Sequence, residues 1–174
     1  MNRRAPPPPL DHERLERLAL RYVERYATTR AKLATYLARK IRERGWAEER
    51  PAEPVALADR MATLGYIDDR GFAEMRANAL TRRGFGARRI AGAWREAGIA
   101  AEDAEALRPM VEDEAEASAL AFARRKRLGP FATVVPDRAG QARALAAMLR
   151  AGHGYDLARR ILGREAEDVD EIDP

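Results

Sequence analysis

Three short stretches of the sequence share one pattern of apolar residues: KLATYL at 32–37, RIAGAW at 89–94 and ALAAML at 144–149. Each stretch contains an apolar pair separated by four residues. The pairs are Leu33 with Leu37, Ile90 with Trp94, and Leu145 with Leu149. A separation of four places both members on one face of an α-helix. Because the first members are separated by 57 and 55 residues, the pattern predicts three degenerate helical repeats.

The composition of the 174-residue chain agrees with an all-α fold. Alanine, leucine and arginine are abundant, and no window alternates apolar and polar residues over the length of a strand. We therefore expect tandem three-helix repeats, stacked into an elongated, curved solenoid of right-handed helices. The expected parts are a disordered proline-rich lead-in at 1–11, repeats at 12–67, 68–111 and 112–163, and an acidic tail at 164–174.

The lack of cysteine and of long apolar runs indicates in which compartment the protein is expected. The chain contains no cysteine, which excludes disulfides and thiolate metal sites and fits a reducing compartment. No apolar run approaches the roughly 20 residues that span a bilayer. These features predict a cytoplasmic protein without a membrane segment, and continuous repeats predict a monomer.

Charge is distributed in alternating blocks along the chain, whose formal net charge is +4. Residues 71–99 and 124–150 are rich in basic side chains, whereas residues 100–117 and 163–174 are rich in acids. Such blocks favour a partner that is at least partly acidic. The candidate partner-binding residues are Arg76, Arg82, Arg83, Arg88, Arg89, Arg95, Arg124, Arg125, Lys126 and Arg127.

The densest of these blocks is TRRGFGARRIAGAWREAGI at 81–99. With 100° of rotation per residue, Ile90 and Trp94 face the core, whereas Arg88, Gly92 and Arg95 lie together on the opposite face. This arrangement predicts a flat, cationic strip that a macromolecule can approach closely. For any single arginine a solvated surface role is an equal alternative, but the group as a whole favours binding.

The same region resembles a known family, the bacterial RecX regulatory proteins. GYIDDRGFAEMRANALTRRGFGARRIAGAWREAGI at 65–99 is similar to the central signature of that family, and TRAKLATYL at 29–37 and GHGYDLARRIL at 152–162 resemble its first and last repeats. The resemblance covers roughly residues 12–163. The signature residues are Gly65, Tyr66, Asp68, Asp69, Phe72, Gly84, Gly86, Ile90, Trp94 and Gly98.

Most of this signature also has a structural interpretation. Either Asp68 or Asp69 is expected to cap a helix, and Tyr66 to pack at a junction between repeats. Gly84 is expected to end a helix and Gly86 to permit a turn. Phe72, Ile90 and Trp94 are expected to lie in the core.

The resemblance implies a function that the residue pattern alone does not. Proteins similar to this one bind the RecA recombinase, typically in the groove of its filament on DNA, and usually inhibit its ATPase, strand-exchange and coprotease activities. They are not enzymes and use no cofactor or metal. The resemblance thus implies that the ten basic residues face acidic recombinase surface or the DNA phosphates within the filament.

Three other classes of function are alternatives, and one of them, a passive helical scaffold for another partner, predicts no effect on the recombinase. An enzyme is disfavoured because Ser118, His12 and His153 show no partner pattern for nucleophilic or metal chemistry. The main alternative is a non-specific binder of single- or double-stranded DNA, since RRGFG joins two predicted helices. Sequence reading is not expected, because the second helix offers arginines and glycine instead of base-reading amides.

Overall fold

The computed structural model describes residues 7–165, and within this range the protein forms ten α-helices, one short 3-10 turn and no strand. The all-α prediction is confirmed. The α-helices are α1 His12–Arg25, α2 Arg30–Arg44, α3 Pro54–Thr63, α4 Asp69–Arg82, α5 Ala87–Ala97, α6 Ala101–Ala106, α7 Arg108–Asp113, α8 Ala115–Lys126, α9 Arg138–Arg150 and α10 Tyr155–Leu162. None of these helices is both long and apolar enough to span a membrane.

The described chain divides into two compact units. Residues up to Phe72, together with Ala97–Ile99, form the first unit, and Ala73–Glu96 with the residues from Ala100 onward form the second. This division differs from the three predicted repeats, whose boundaries stay a prediction, as does the curvature of the solenoid.

The first unit is built on a three-helix core. Helices α1, α2 and α3 pack against one another, and the residues at their centre are almost wholly excluded from solvent. They include Leu15, Ala19, Leu33, Leu37, Leu57 and Met61. At about 1.5–3 kcal/mol for each large aliphatic side chain buried, these residues are the main stabilising contribution to this unit.

The predicted lead-in of disordered residues at 1–11 requires correction where the structure describes it. Leu10 is fully buried, its N–H donates to the Gly45 carbonyl at 2.9 Å, and its carbonyl accepts from Ala47 N–H at 2.8 Å. Asp11 caps α1 by accepting a hydrogen bond from Arg14 N–H. Burial of Leu10 thus fixes the end of the proline-rich lead-in. The prolines by themselves predict only that this segment is not helical. Residues 1–6 and the tail from 166 onward lie outside the described residues.

Side chains cap the N-termini of α2 and α4. Thr29 caps α2 by accepting from Lys32 N–H, and Asp68 caps α4 by accepting from Gly71 N–H. Asp69 has a different role, because its nearly buried carboxylate accepts from both N–H and Nε of Arg30, each at 2.9 Å. Asp69 therefore ties the start of α4 to the start of α2.

The second unit contains a three-helix core made by α8, α9 and α10. Its buried residues include Ala119, Phe122, Met148, Ala158 and Ile161. In α9 the buried pair is Ala144 with Met148, whereas the predicted pair Leu145 with Leu149 is only partly buried. The third copy of the apolar pattern is therefore one residue out of register, because several neighbouring positions in ALAAML are apolar.

Candidate partner-binding surface

The ten predicted basic residues all lie in the second unit and all are exposed. We call them the basic surface. They are carried by α4, by the turn that follows it, by α5 and by the end of α8. The turn, residues 83–86, determines how these helices are brought together.

Glycines hold this turn directly against neighbouring backbone. Gly84 has φ +74°, and a Cβ at this position would lie 2.8 Å from Phe122 N in α8. At Gly86 a Cβ would lie 2.5 Å from the carbonyl carbon of Gly152 and 2.6 Å from His153 N. The φ of Gly86 is not positive, so close packing, and not the predicted conformational freedom, requires glycine there.

Two buried polar side chains donate hydrogen bonds to the backbone of the same turn. Ser118 Oγ donates to the Phe85 carbonyl at 2.9 Å, and His153 Nε2 donates to the Gly84 carbonyl at 3.1 Å. His153 is almost wholly buried, with 1% of its surface exposed. Burial lowers the pKa of its imidazole below the ordinary value, and the hydrogen bond to Gly84 opposes this shift. The neutral form of the imidazole is therefore favoured beneath the turn.

Phe85 lies at the centre of the grouped arginines and was omitted from the predicted site. The guanidinium carbons of three arginines lie over its partly buried ring, at 5.3 Å for Arg83, 5.6 Å for Arg89 and 6.0 Å for Arg125. Arg125 also donates a hydrogen bond to the Arg83 carbonyl. Cation–π attraction of this kind positions like charges close together. An aromatic residue between two glycines, flanked by arginine pairs, was the signal available in the sequence.

A groove of about 440 Å³ lies beside this ring. Its floor includes Leu80, Phe85, Gly92 and Ala93, and Glu96 is the acid at its edge. The arginines that line it are Arg76, Arg83, Arg88 and Arg89. A Cβ added to Gly92 would meet nothing closer than Arg95 Nη2 at 4.0 Å, so the floor is open above this glycine. Of the predicted cationic strip, Arg88 and Gly92 line this groove, whereas Arg95 is exposed beside it and does not belong to its lining.

The remaining members of the basic surface do not line the groove. Arg124 lies over the ring of Phe131 at 5.2 Å, and Arg127 ends α8 in the left-handed conformation with φ 54°. Arg82 and Lys126 are exposed on the last turns of α4 and α8, where positive charge is favourable to the helix dipole. The predicted set therefore consists of a grouped part around Phe85 and a more scattered part.

The arginines grouped around Phe85 have no carboxylate partner among the described residues, unlike many arginines on other helices. Within residues 7–165, no carboxylate lies within 4 Å of the guanidinium groups of Arg76, Arg83, Arg88, Arg89 or Arg125. On other helices arginine side chains are commonly paired, as Arg17 is with Glu13 and Arg60 with Glu16. Uncompensated like charges in one groove form a surface of positive potential that attracts an anionic partner.

The core face of α5 is occupied as its helical register predicts. Ile90 is 1% exposed, and Trp94 is buried with its indole N–H donating to the Ala73 carbonyl at 2.9 Å. Because the one polar atom of the tryptophan is satisfied internally, its ring is a core anchor.

The signature residues of the first unit are less uniform. Gly65 has φ +82°, and Gly98 has φ +70° and lies against Ala31. Phe72 is partly buried, with Lys32 Nζ 4.8 Å from its ring centroid. Tyr66 is 52% exposed, so the expectation that it packs at a junction is wrong. Its hydrogen-bonded N–H, which donates to the Met61 carbonyl, satisfies the backbone of the turn without burying the ring.

Comparison with known proteins places this arrangement in a family. The chain is 35% identical over 162 residues to the regulatory protein RecX of Myxococcus xanthus (strain DK1622), covering 85% of this chain and 83% of that protein. The chain belongs to the RecX family of regulatory proteins. Regulatory protein RecX of Agrobacterium fabrum (strain C58 / ATCC 33970) is 27% identical over 158 residues, with 88% of this chain and 84% of that protein covered. No protein-family model matches the chain.

The fold of a RecX protein of known structure is similar as well. The crystal structure of RecX from Lactobacillus salivarius matches with a TM-score of 0.66 over 92% of this chain and 97% of that chain, at 18% identity. This likeness supports the all-helical repeat fold. The relatives are named as regulatory proteins, not as enzymes, and no group of metal-ligating side chains that could hold an ion is found in the described part of the chain.

Proposed function

We propose that this RecX-family protein is a cytoplasmic monomer that binds the RecA recombinase, or its filament on DNA, and inhibits its ATPase, strand-exchange and coprotease activities. The observation that carries the proposal is the groove beside Phe85, where exposed arginines that have no carboxylate partner among residues 7–165 are held in one place. Membership of the RecX family supports this choice of partner.

The groove is suited to an acidic macromolecular surface. Two of its arginines, Arg83 and Arg89, are already positioned on the Phe85 ring, so a partner that supplies carboxylates or phosphates gains contacts for little loss of side-chain freedom. Complementary charge of this kind increases the association rate and makes binding weaken as salt concentration rises.

Non-specific DNA binding is the second candidate, because the same arginines can contact phosphate. The exposed side of α5 presents Arg88, Arg89, Arg95, Glu96 and the open floor at Gly92. Phosphate contacts by arginine position a protein on DNA but carry no sequence information. This candidate predicts a steep decrease of DNA affinity with salt and indifference to DNA sequence.

The proposal is tested by measuring the DNA-dependent ATPase rate of the cognate RecA filament while the protein is titrated. For the double substitution Arg88→Glu/Arg95→Glu, we expect the concentration giving half-maximal inhibition to increase at least about tenfold, equivalent to about 1.4 kcal/mol. Inhibition near one protein per recombinase protomer supports occupation of the filament groove. Inhibition far below that ratio supports disruption or capping of the filament.

A matched control separates this surface from net charge. Arg143→Glu/Arg150→Glu makes the same change of charge on exposed positions of α9 in the same unit, and we expect it to inhibit like the unsubstituted protein. Equal inhibition by both double variants would contradict the assignment of the basic surface. Absence of inhibition by the unsubstituted protein, with salt-sensitive binding to bare DNA, would instead favour the DNA-binding candidate.

A further inference from the structure

Three tyrosines form a row on the first unit, remote in sequence from the basic surface. We call Tyr22, Tyr26 and Tyr36 the tyrosine cluster. The rings of Tyr22 and Tyr36 are stacked, with centroids 4.3 Å apart and an interplanar angle of 28°. The ring of Tyr26 follows at 5.2 Å from that of Tyr22, tilted by 52°. Two helices, α1 and α2, thus supply one continuous aromatic row.

The outer end of this row is not part of the hydrophobic core. Tyr22 and Tyr36 pack partly against the core of the first unit, whereas Tyr26 is 49% exposed and is absent from that core cluster. Tyr26 is also the residue immediately after α1, in extended backbone with φ −131°. Its ring therefore extends the row beyond the core and is about half exposed to solvent.

Positive charge surrounds the cluster. The guanidinium carbon of Arg25 lies 5.5 Å from the ring centroid of Tyr26, and Arg39 Cζ and Lys40 Nζ lie 5.7 and 5.8 Å from that of Tyr36. Arg21 is exposed one turn before Arg25 on α1. Helix α2 as a whole carries six basic residues and one acid. An aromatic row with this charge has the composition of a platform for nucleic-acid bases and phosphates.

Acids in the same region compensate only part of this charge. Glu43 pairs with Lys40 at 2.7 Å and with Arg39 at 3.8 Å, and the hydrogen bond from Lys40 lowers the pKa of its carboxyl group. No carboxylate within residues 7–165 lies within 4 Å of Arg21 or Arg25. The exposed end of the row, at Tyr26, is therefore the end at which the cations have no acidic partner.

We propose that the tyrosine cluster is a binding site for single-stranded nucleic acid, with a base stacked on Tyr26 and adjacent phosphates held by Arg21 and Arg25. An exposed aromatic face accepts an unpaired base because every base has a π-face, whereas the bases of a duplex are already stacked on one another. The site goes beyond the proposed inhibition of the recombinase and does not depend on it. It predicts that this protein binds a single strand in preference to a duplex.

The test is fluorescence anisotropy of a labelled oligothymidylate of about 20 nucleotides, titrated at low salt with the full-length protein. We expect Tyr26→Ala to weaken binding about 5- to 100-fold, the range for loss of one base–aromatic stack. Tyr26→Phe keeps the ring and is expected to bind within about twofold of the unsubstituted protein. Circular dichroism is expected to show that each variant is folded at the assay temperature, because Tyr26 lies outside the core cluster and its removal loses only the ring contacts with Tyr22 and Arg25.

Tyr155 provides a matched control. It is 48% exposed and has Arg159 at 5.8 Å over its ring. No second aromatic ring is stacked on it within the described residues, so Tyr155→Ala is expected to leave binding unchanged. In the Arg88→Glu/Arg95→Glu background, Tyr26→Ala is expected to give the same fold-change, since the two surfaces are distinct.

Three results would overturn the proposal. One is equal affinity of Tyr26→Ala and the unsubstituted protein for the oligonucleotide. Another is an equal loss for Tyr26→Phe, which would assign the effect to the hydroxyl group. The last is an equal loss for Tyr155→Ala, which would make any exposed tyrosine sufficient. Since recombinase ATPase is not measured, failure here leaves the proposed inhibition untouched, and failure of the proposed inhibition leaves this site standing.

Discussion

Replacement of Gly86 by alanine tests how the arginine groove is built. The added methyl group would lie 2.5 Å from the carbonyl carbon and oxygen of Gly152 and 2.6 Å from His153 N. These are backbone atoms, and the Gly86 N–H is itself bonded to the Ala151 carbonyl at 3.0 Å. The clash therefore cannot be relieved by rotating a side chain, and the turn must move away from the segment between α9 and α10.

The size of the effect follows from the cost of overpacking. Insertion of a methyl group into a well-packed site costs about 1–3 kcal/mol. For a chain of this size 1 kcal/mol corresponds to about 2–4 °C in melting temperature, so Gly86→Ala should lower the melting temperature by about 2–12 °C. Because Phe85 moves with the turn, the groove arginines stacked on it lose their arrangement, and inhibition of the recombinase should weaken as well.

Gly92→Ala is the matched control, since it makes the same chemical change six residues further along the chain. Its methyl group meets only Arg95 Nη2 at 4.0 Å, within the interior of α5. Alanine is the better helix former, so a gain of about 0.5–1 kcal/mol is expected. Thermal and urea unfolding of both variants measures the difference. Identical stability of Gly86→Ala and the unsubstituted protein would refute the close packing of the turn against Gly152.

Two further predictions concern stability. Asp69→Ala removes a nearly buried carboxylate that accepts two part-buried hydrogen bonds from Arg30, and it should cost about 1–3 kcal/mol in urea unfolding. Asp59→Ala, whose exposed carboxylate lies 3.8 Å from the same arginine, should cost less than about 0.5 kcal/mol. Equal losses would contradict the role of Asp69. The pKa of His153 is lowered in the folded state, so the unfolded state binds the proton first as pH falls below about 6.5. The free energy of unfolding should therefore decrease as pH falls from about 6.5 towards the folded-state pKa. The decrease should be at most about 1.4 kcal/mol per pH unit. His153→Gln should abolish this decrease between about pH 6.5 and pH 5, and His12→Gln should not; a slope that survives in His153→Gln would point to another group.

The sequence predicted the helices well because their signals are local. Thr29, Gly45 and Gly84 stand at helix ends, where a side-chain acceptor or a glycine satisfies backbone geometry within a few residues. The apolar spacing that buries Leu33 and Leu37 is likewise a property of one helix. The third copy of the repeat was misplaced by one residue, because a run of alanines and leucines fits more than one helical register.

Other features depend on contacts between distant residues, which a single sequence does not show. Leu10 is fixed by bonds to Gly45 and Ala47, and His153 is buried beneath the turn at Gly84. Tyr66, by contrast, remains exposed although its position in the signature suggested packing. In each case the local sequence permits several environments, and the neighbouring helices select one.

The candidate sites, too, were predicted from the sequence only in part. By itself the sequence determined the all-α class, the resemblance to the RecX family and the set of basic residues, since these follow from helical periodicity, motif and charge. Only the tertiary structure decided which cations share a groove on Phe85, and that Tyr26 ends an aromatic row shared by α1 and α2. The physical reason is that grouping of charge and stacking of rings depend on distances between helices, and those distances are set by packing of the cores beneath them.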